Sequence, residues 1–253
     1  MRAMSRPNPS KFDARILRRG SRSIAAAPIL VVVAFGSPAS AAAANGIASK
    51  SAAQVVSTAV KASAAASSLS VVGSVTQTGS TVSLNLSVSA SGMSEGTITI
   101  NGGTAHVVEL GSVAYFKADS AFWMENGGKA EAQLLAGKWV YGPISSSTFS
   151  SFKGFLSPHA VIGSFFGGNG GPFKKGRTSS IGGQAVLAIT GRGDANNGTL
   201  YVATTGKPYV VKLEAKGSSG RGQVTFSHYN TPVRPSKPTG AINLQQLSGG
   251  GGS

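Results

Sequence analysis

The chain has 253 residues with a formal net charge of +15, yet only 12% of residues are charged and none is cysteine. The missing cysteines exclude a disulfide framework, thiolate chemistry and sulfur-ligated metal, and eight acidic residues leave little material for paired-carboxylate catalysis. Small residues take the place of the missing charge, a composition that suits an exported, strand-rich protein.

Residues 1–41 have the pattern of a secretory signal. Arg15, Arg18, Arg19 and Arg22 precede the apolar run IAAAPILVVVAFG, and Ala39-Ser40-Ala41 offers a small-x-small cleavage site. The apolar run is shorter than the ~20 residues a spanning helix needs. Seven Lys/Arg and one acid lie in this segment, so +9 of the formal charge remains beyond it. The remaining bases are scattered. No basic stripe interleaved with aromatics argues for nucleic acid; attraction to an anionic membrane surface fits better. The expected location is the cell envelope or extracellular space.

Residues 42–68 predict a helix. Ala48, Ala52, Val55, Ala59, Ala62 and Ala66 recur at three and four and form a narrow, small-residue face. From Leu69 the period changes to two. SLSVVGSVTQT and TVSLNLSVSA pair across Gly79-Ser80, with Val82, Leu84, Leu86 and Val88 on one face and Ser83, Asn85, Ser87 and Ser89 on the other. SGMSEG reads as a turn. GTITING and AHVVELGSVAYFKAD extend the strands.

Aromatic residues concentrate between Ser120 and Gly171. KAEAQLLAG predicts a short helix stopped by Gly137. STFSSFKGFL places Phe149, Phe152 and Leu156 on one helical face. SPHAVIGSFF offers Ser157 as an N-cap and Pro158 at the first helical position. Strands resume at Phe173: RTSSIGGQAVLAIT and the GTLYVATTGKPYVVKLE hairpin face each other across DANNG, followed by GRGQVTFSHYN. TPVRPSKPTGAINLQQL, with three prolines, predicts an extended strap. Residues 42–247 form one domain, with 248–253 a flexible Gly/Ser tail. The organisation is a helix, four strands, an aromatic helical insert and four strands, an α+β arrangement with helices on one face of an antiparallel sheet.

Several motifs carry less than they suggest. Gly92-Met93-Ser94-Glu95-Gly96 fits G-x-S-x-G, but a strand follows where a nucleophile elbow needs a helix. GPFKKGRT lacks the lysine and the helix of a phosphate loop. Arg192-Gly193-Asp194 and the sequon at Asn197 fall in a hairpin turn. His106, His159 and His228 have no ligand-spaced partners, so no metal or cofactor is expected. Glu109, Glu125 and Glu131 read as surface or rim residues.

AGKWV (Ala136–Val140), GTLYVATTGKPY (Gly198–Tyr209) and FSHYN (Phe226–Asn230), in this order, resemble the LppX/LprG-type lipoproteins of actinobacteria, within the LolA/LolB-like lipoprotein-carrier superfamily. The resemblance implies a curved antiparallel β-sheet, a half-barrel covered on its concave face by a few short helices. It also implies a non-enzymatic carrier that holds acyl chains of a lipid or acylated ligand in the hollow between sheet and helices. Val82, Leu84, Leu86, Val88, Phe149, Phe152, Phe155 and Phe165 would line that hollow. Those lipoproteins carry a cysteine after the signal; SPASAAAAN has none, which implies a protein without a lipid anchor, released in soluble form after cleavage or held only by its signal, and the expected state is a monomer. The alternative is an envelope interaction or adhesion module with a filled core and no small-molecule ligand.

Overall fold

The computed structural model describes residues 43–77, 79–166, 172–191, 198–217 and 220–248. The signal segment, the Gly-rich stretch at 167–171, the stretch 192–197, where the sequence predicts a turn and which holds the RGD and the sequon asparagine, and residues 249–253 lie outside the described residues.

Twelve strands form one open, curved sheet: β1 Ser68–Gln77, β2 Ser80–Ser89, β3 Met93–Ile100, β4 Gly103–Leu110, β5 Val113–Ala118, β6 Trp139–Pro143, β7 Phe173–Ile181, β8 Gln184–Gly191, β9 Gly198–Ala203, β10 Val210–Gly217, β11 Gly220–Ser227 and β12 Ile242–Asn243. Their order is β12-β6-β5-β4-β3-β2-β1-β11-β10-β9-β8-β7. Every pairing is antiparallel except β12 with β6. Among the described residues, five α-helices accompany them: α1 Ala52–Ala64, α2 Ser120–Asn126, α3 Lys129–Leu135, α4 Pro158–Phe166 and α5 Leu244–Ser248. A 3-10 segment, Ser147–Phe155, precedes α4.

The period-two pattern of the sequence sorts directly onto the two faces. Val71, Leu86, Ile98, Val107, Phe116 and Phe226 are buried on the inner face. The outer face carries hydroxyl pairs between adjacent strands: Ser70 with Ser87 at 2.9 Å, Thr76 with Thr81 at 2.8 Å and Thr99 with Thr104 at 3.1 Å. The inner face is therefore the one that helices must cover.

Three inner-face glycines, Gly73, Gly96 and Gly222, bend the wall. Gly73 (φ +156°) and Gly96 (φ +144°) lie against the neighbouring strand so closely that a Cβ would stand 2.2 Å from the Gln223 carbonyl oxygen or 2.1 Å from that of Asn85. Glycine kinks of this kind let a sheet curl.

The structure corrects four sequence expectations. RTSSIGGQAVLAIT is two strands, because Gly182 (φ +55°) and Gly183 (φ +80°) make a two-residue hairpin loop. Five strands, not four, precede the helices, since Gly111 turns β4 into β5. The insert is not purely helical: Trp139–Pro143 adds β6 beside β5. The buried stripe of α1 is Val55, Ala59 and Ser63 rather than one running through Ala62. Ser63 is drawn inward because its Oγ accepts the backbone N–H of Val210 at 2.9 Å, beside an irregularity in the β10 ladder.

Candidate functional site

The cover over the middle of the inner face consists of the 3-10 segment and α4. In a 3-10 helix residues three apart eclipse one another, so Phe149, Phe152 and Phe155 align along one side. Phe149 and Phe152 are buried and Phe155 is partly so. The ring of Phe152 lies 4.9 Å from that of Phe116 on β5 and 5.9 Å from that of Phe122 on α2. α4 starts as anticipated: Ser157 Oγ accepts the Ala160 N–H at 3.1 Å, and Pro158 occupies the first turn. At its other end, Phe165 and Phe166 meet Phe226 of β11 at 5.7 and 6.2 Å.

The eight residues anticipated as a lining all fall in one apolar cluster between sheet and helices. Leu84, Leu86, Val88, Phe149 and Phe152 belong to its buried part; Val82, Phe155 and Phe165 pack against it from partly exposed positions. Trp123 Nε1 and Ser146 Oγ are buried without hydrogen-bond partners.

One polar group that sequence reasoning placed at the surface is inside. Glu109 is only 7% exposed. It lies opposite Ser94 in the β3–β4 ladder, on the face shared with Val107 and Ala105, so strand alternation points it inward. Ser94 is the second residue of β3, just after a turn that ends at Gly92, and it is fully buried. Its Oγ lies 2.9 Å from Glu109 Oε2 and 3.0 Å from the Leu156 carbonyl oxygen. Burial pushes the Glu109 carboxyl up from its ordinary range, and the Ser94 hydroxyl partly opposes that. The only signal in the sequence was the alternation through HVVEL, which a scarcity of acids made easy to discount. The Ser94–Leu156 hydrogen bond joins this cover to the sheet.

The FSHYN motif ties the residue before β1 to the start of β10. Tyr229 Oη donates to the Val210 carbonyl at 2.7 Å. Asn230 Oδ1 accepts both the N–H and the hydroxyl of Ser67, and Asn230 Nδ2 donates to Tyr209 Oη at 2.6 Å. His228 and Asn230 adopt positive φ of 50° and 59° to make these contacts. These residues are framework rather than lining.

On the outer face of the sheet, Tyr115 of β5 and Tyr141 of β6 stack at 5.5 Å and form an open groove of about 510 Å³ with the strap residues Lys237–Ala241. No helix among the described residues is long and apolar enough to cross a membrane. No group of three or more potential metal ligands occurs among them.

The chain is an α+β protein whose curved antiparallel sheet is covered on its inner face by short helices. It is similar to mycobacterial lipoproteins of known structure. LprF from Mycobacterium bovis aligns with a TM-score of 0.48 at 17% identity, covering 75% of this chain and 97% of that one. LppX from Mycobacterium tuberculosis aligns with a TM-score of 0.46 at 18% identity, covering 73% and 98%. A putative outer membrane lipoprotein-sorting protein domain from Vibrio parahaemolyticus aligns with a TM-score of 0.23 at 9% identity, covering 73% and 95%. No family model and no curated protein matches the sequence.

Proposed function

We propose that this chain is an exported, non-enzymatic carrier that takes acyl chains of a lipid or acylated ligand between its sheet and its helical cover. The observation that carries this reading is the make-up of the seam. Phe149, Phe152, Phe155, Phe165 and Phe166 pack against an apolar wall, and the Ser94–Leu156 hydrogen bond ties the cover to it. Apolar contacts have no preferred partner. An acyl chain entering the seam replaces one set with another, and each buried CH₂ contributes about 0.8 kcal/mol. Val82, Leu84, Leu86 and Val88 would be the wall of the ligand site and the phenylalanines its roof. Residues 1–41 would direct export.

The test is native mass spectrometry of gently purified protein together with titration of a fluorescent fatty acid. Co-purified lipid, or saturable probe binding, is the expected result. A clean unliganded mass with no probe binding overturns the reading.

A second reading draws on the same seam. The deep burial of Phe149 and Phe152 also suits a permanently filled core, and the chain would then act through its surface as an envelope interaction module. In that case no acyl probe binds, and partner capture depends on salt through the net positive charge.

A further inference from the structure

The Ser94 hydroxyl stands between two acceptors, Glu109 Oε2 at 2.9 Å and the Leu156 carbonyl at 3.0 Å. A serine hydroxyl has one hydrogen and cannot serve both. With Glu109 ionised, the carboxylate takes that hydrogen and the Leu156 carbonyl loses its donor. With Glu109 protonated, its own O–H donates to Ser94 Oγ, and Ser94 donates onward to Leu156. Only the protonated form satisfies every oxygen in this buried row, and an unsatisfied buried acceptor is costly. Leu156 is the joint of the cover: it ends the 3-10 segment and precedes Ser157, the cap of α4.

The surroundings leave Glu109 without a counter-charge. On the inner face its neighbours are Val107 on β4, Ser94 and Gly96 on β3 and Ala114 and Phe116 on β5, none of which carries a charge. Glu95 of β3, His106 of β4, Lys117 of β5 and Tyr141 of β6 alternate to the outer face. Lys153 and His159 of the cover are exposed.

We propose that Glu109, Ser94 and Leu156 form a proton-operated latch on the helical cover, closed while the Glu109 carboxyl keeps its proton and released when it loses it. Burial raises the pH at which this happens above the ordinary carboxylate range. The latch would make the seam harder to open in an acidic compartment than in a neutral one. It regulates the site of the carrier reading and rests on that reading for its purpose, though not for its chemistry.

The test is hydrogen-exchange mass spectrometry of peptides covering residues 147–166 in the full chain. Exchange is followed across acidic to mildly alkaline pH, with the intrinsic pH dependence of amide exchange divided out. In the unaltered chain, opening of these peptides rises about fivefold as Glu109 ionises, the equivalent of one hydrogen bond. Glu109→Gln, whose amide N–H replaces the acid O–H toward Ser94, gives slow exchange that does not vary with pH. Ser94→Ala gives fast exchange at every pH, and if that variant fails to fold, Glu109→Gln alone decides. An identical corrected pH profile for the unaltered chain and Glu109→Gln overturns the latch. The uptake rate of a fluorescent fatty acid separates the two ideas. A latch profile without uptake removes the carrier reading and leaves the latch. Uptake with no difference between the unaltered chain and Glu109→Gln in exchange removes the latch and leaves the carrier.

Discussion

Tyr209 and Tyr229 lie face to face, ring centroids 4.0 Å apart and planes 9° from parallel. The first closes the GTLYVATTGKPY stretch and the second stands in FSHYN, so the two most distinctive motifs of the sequence meet at one point. There they join the C-terminal end of α1, through Ser63 and Ser67, to the sheet.

Tyr229→Phe keeps the stack and removes the hydrogen bond to the Val210 carbonyl. That acceptor is left beside a buried ring, at an expected cost of about 1–2 kcal/mol. Thermal unfolding should show a midpoint lower by roughly 2–8 °C for a domain of this size. Tyr229→Leu, which also loses the ring contact, should fall further.

Gly96→Ala tests the curvature of the wall. At φ +144° the new Cβ would be driven into the backbone of Asn85 and Leu86. Neither the strand nor its partner can give way cheaply, so a loss of about 2 kcal/mol or more is expected. Denaturant unfolding measures it. Gly79→Ala is the control for positive φ alone, because nothing lies within 4 Å of its would-be Cβ.

Ser51→Ala removes the capping box of α1. Ser51 Oγ accepts the Gln54 N–H at 3.3 Å, and Gln54 Oε1 accepts the Ser51 N–H at 3.0 Å. The expected loss is about 1 kcal/mol. It should appear as faster hydrogen exchange in α1 as well as in the unfolding midpoint.

Phe155 and Phe165, like Phe166, are partly exposed members of the cover. Replacing both with serine should weaken fluorescent fatty-acid binding by about tenfold or more, from the lost apolar contact. Stability should fall less than in Phe152→Ala, where a fully buried ring is removed at about 3–5 kcal/mol. Equal probe affinity in the double variant would place any acyl site elsewhere.

Glu109 predicts a pH dependence of stability with a definite sign. Its folded carboxyl holds a proton more tightly than the unfolded one. The associated stability is present at acidic pH and is lost as pH rises through the folded pKa. Glu109→Gln should therefore match the unaltered chain in acid and exceed it at neutral pH, by about 1 kcal/mol if one hydrogen bond is at stake. Unfolding midpoints at several pH values check this.

Much of the fold could be read directly. The alternation through Val82–Val88 identified an inner face, and the Ser157-Pro158 pair marked the start of α4, because each of these signals is local. What escaped depended on distant contacts. Ser63 is buried because Val210, far along the chain, needs its oxygen. Trp139–Pro143 is too short to announce itself as a strand and becomes one by docking on β5. Glu109 looked like a rim residue because a lone acid usually is one. Only its register opposite Ser94, and the carbonyl of Leu156 above them, give it a place inside.

The two ends of the sheet are finished differently. β12, supplied by the strap, closes one end with a two-residue strand, while β7 leaves the other open along nine residues that are nearly all exposed. That open edge carries Lys174, Lys175 and Arg177, and Lys175 Nζ reaches the carbonyls of Ala48 and Lys50 at 3.0 Å. Two molecules meeting along it would set cation against cation with no acid on either strand. Strand-by-strand growth into fibrils is therefore disfavoured from this end, and raising the ionic strength should weaken that protection before it weakens the fold.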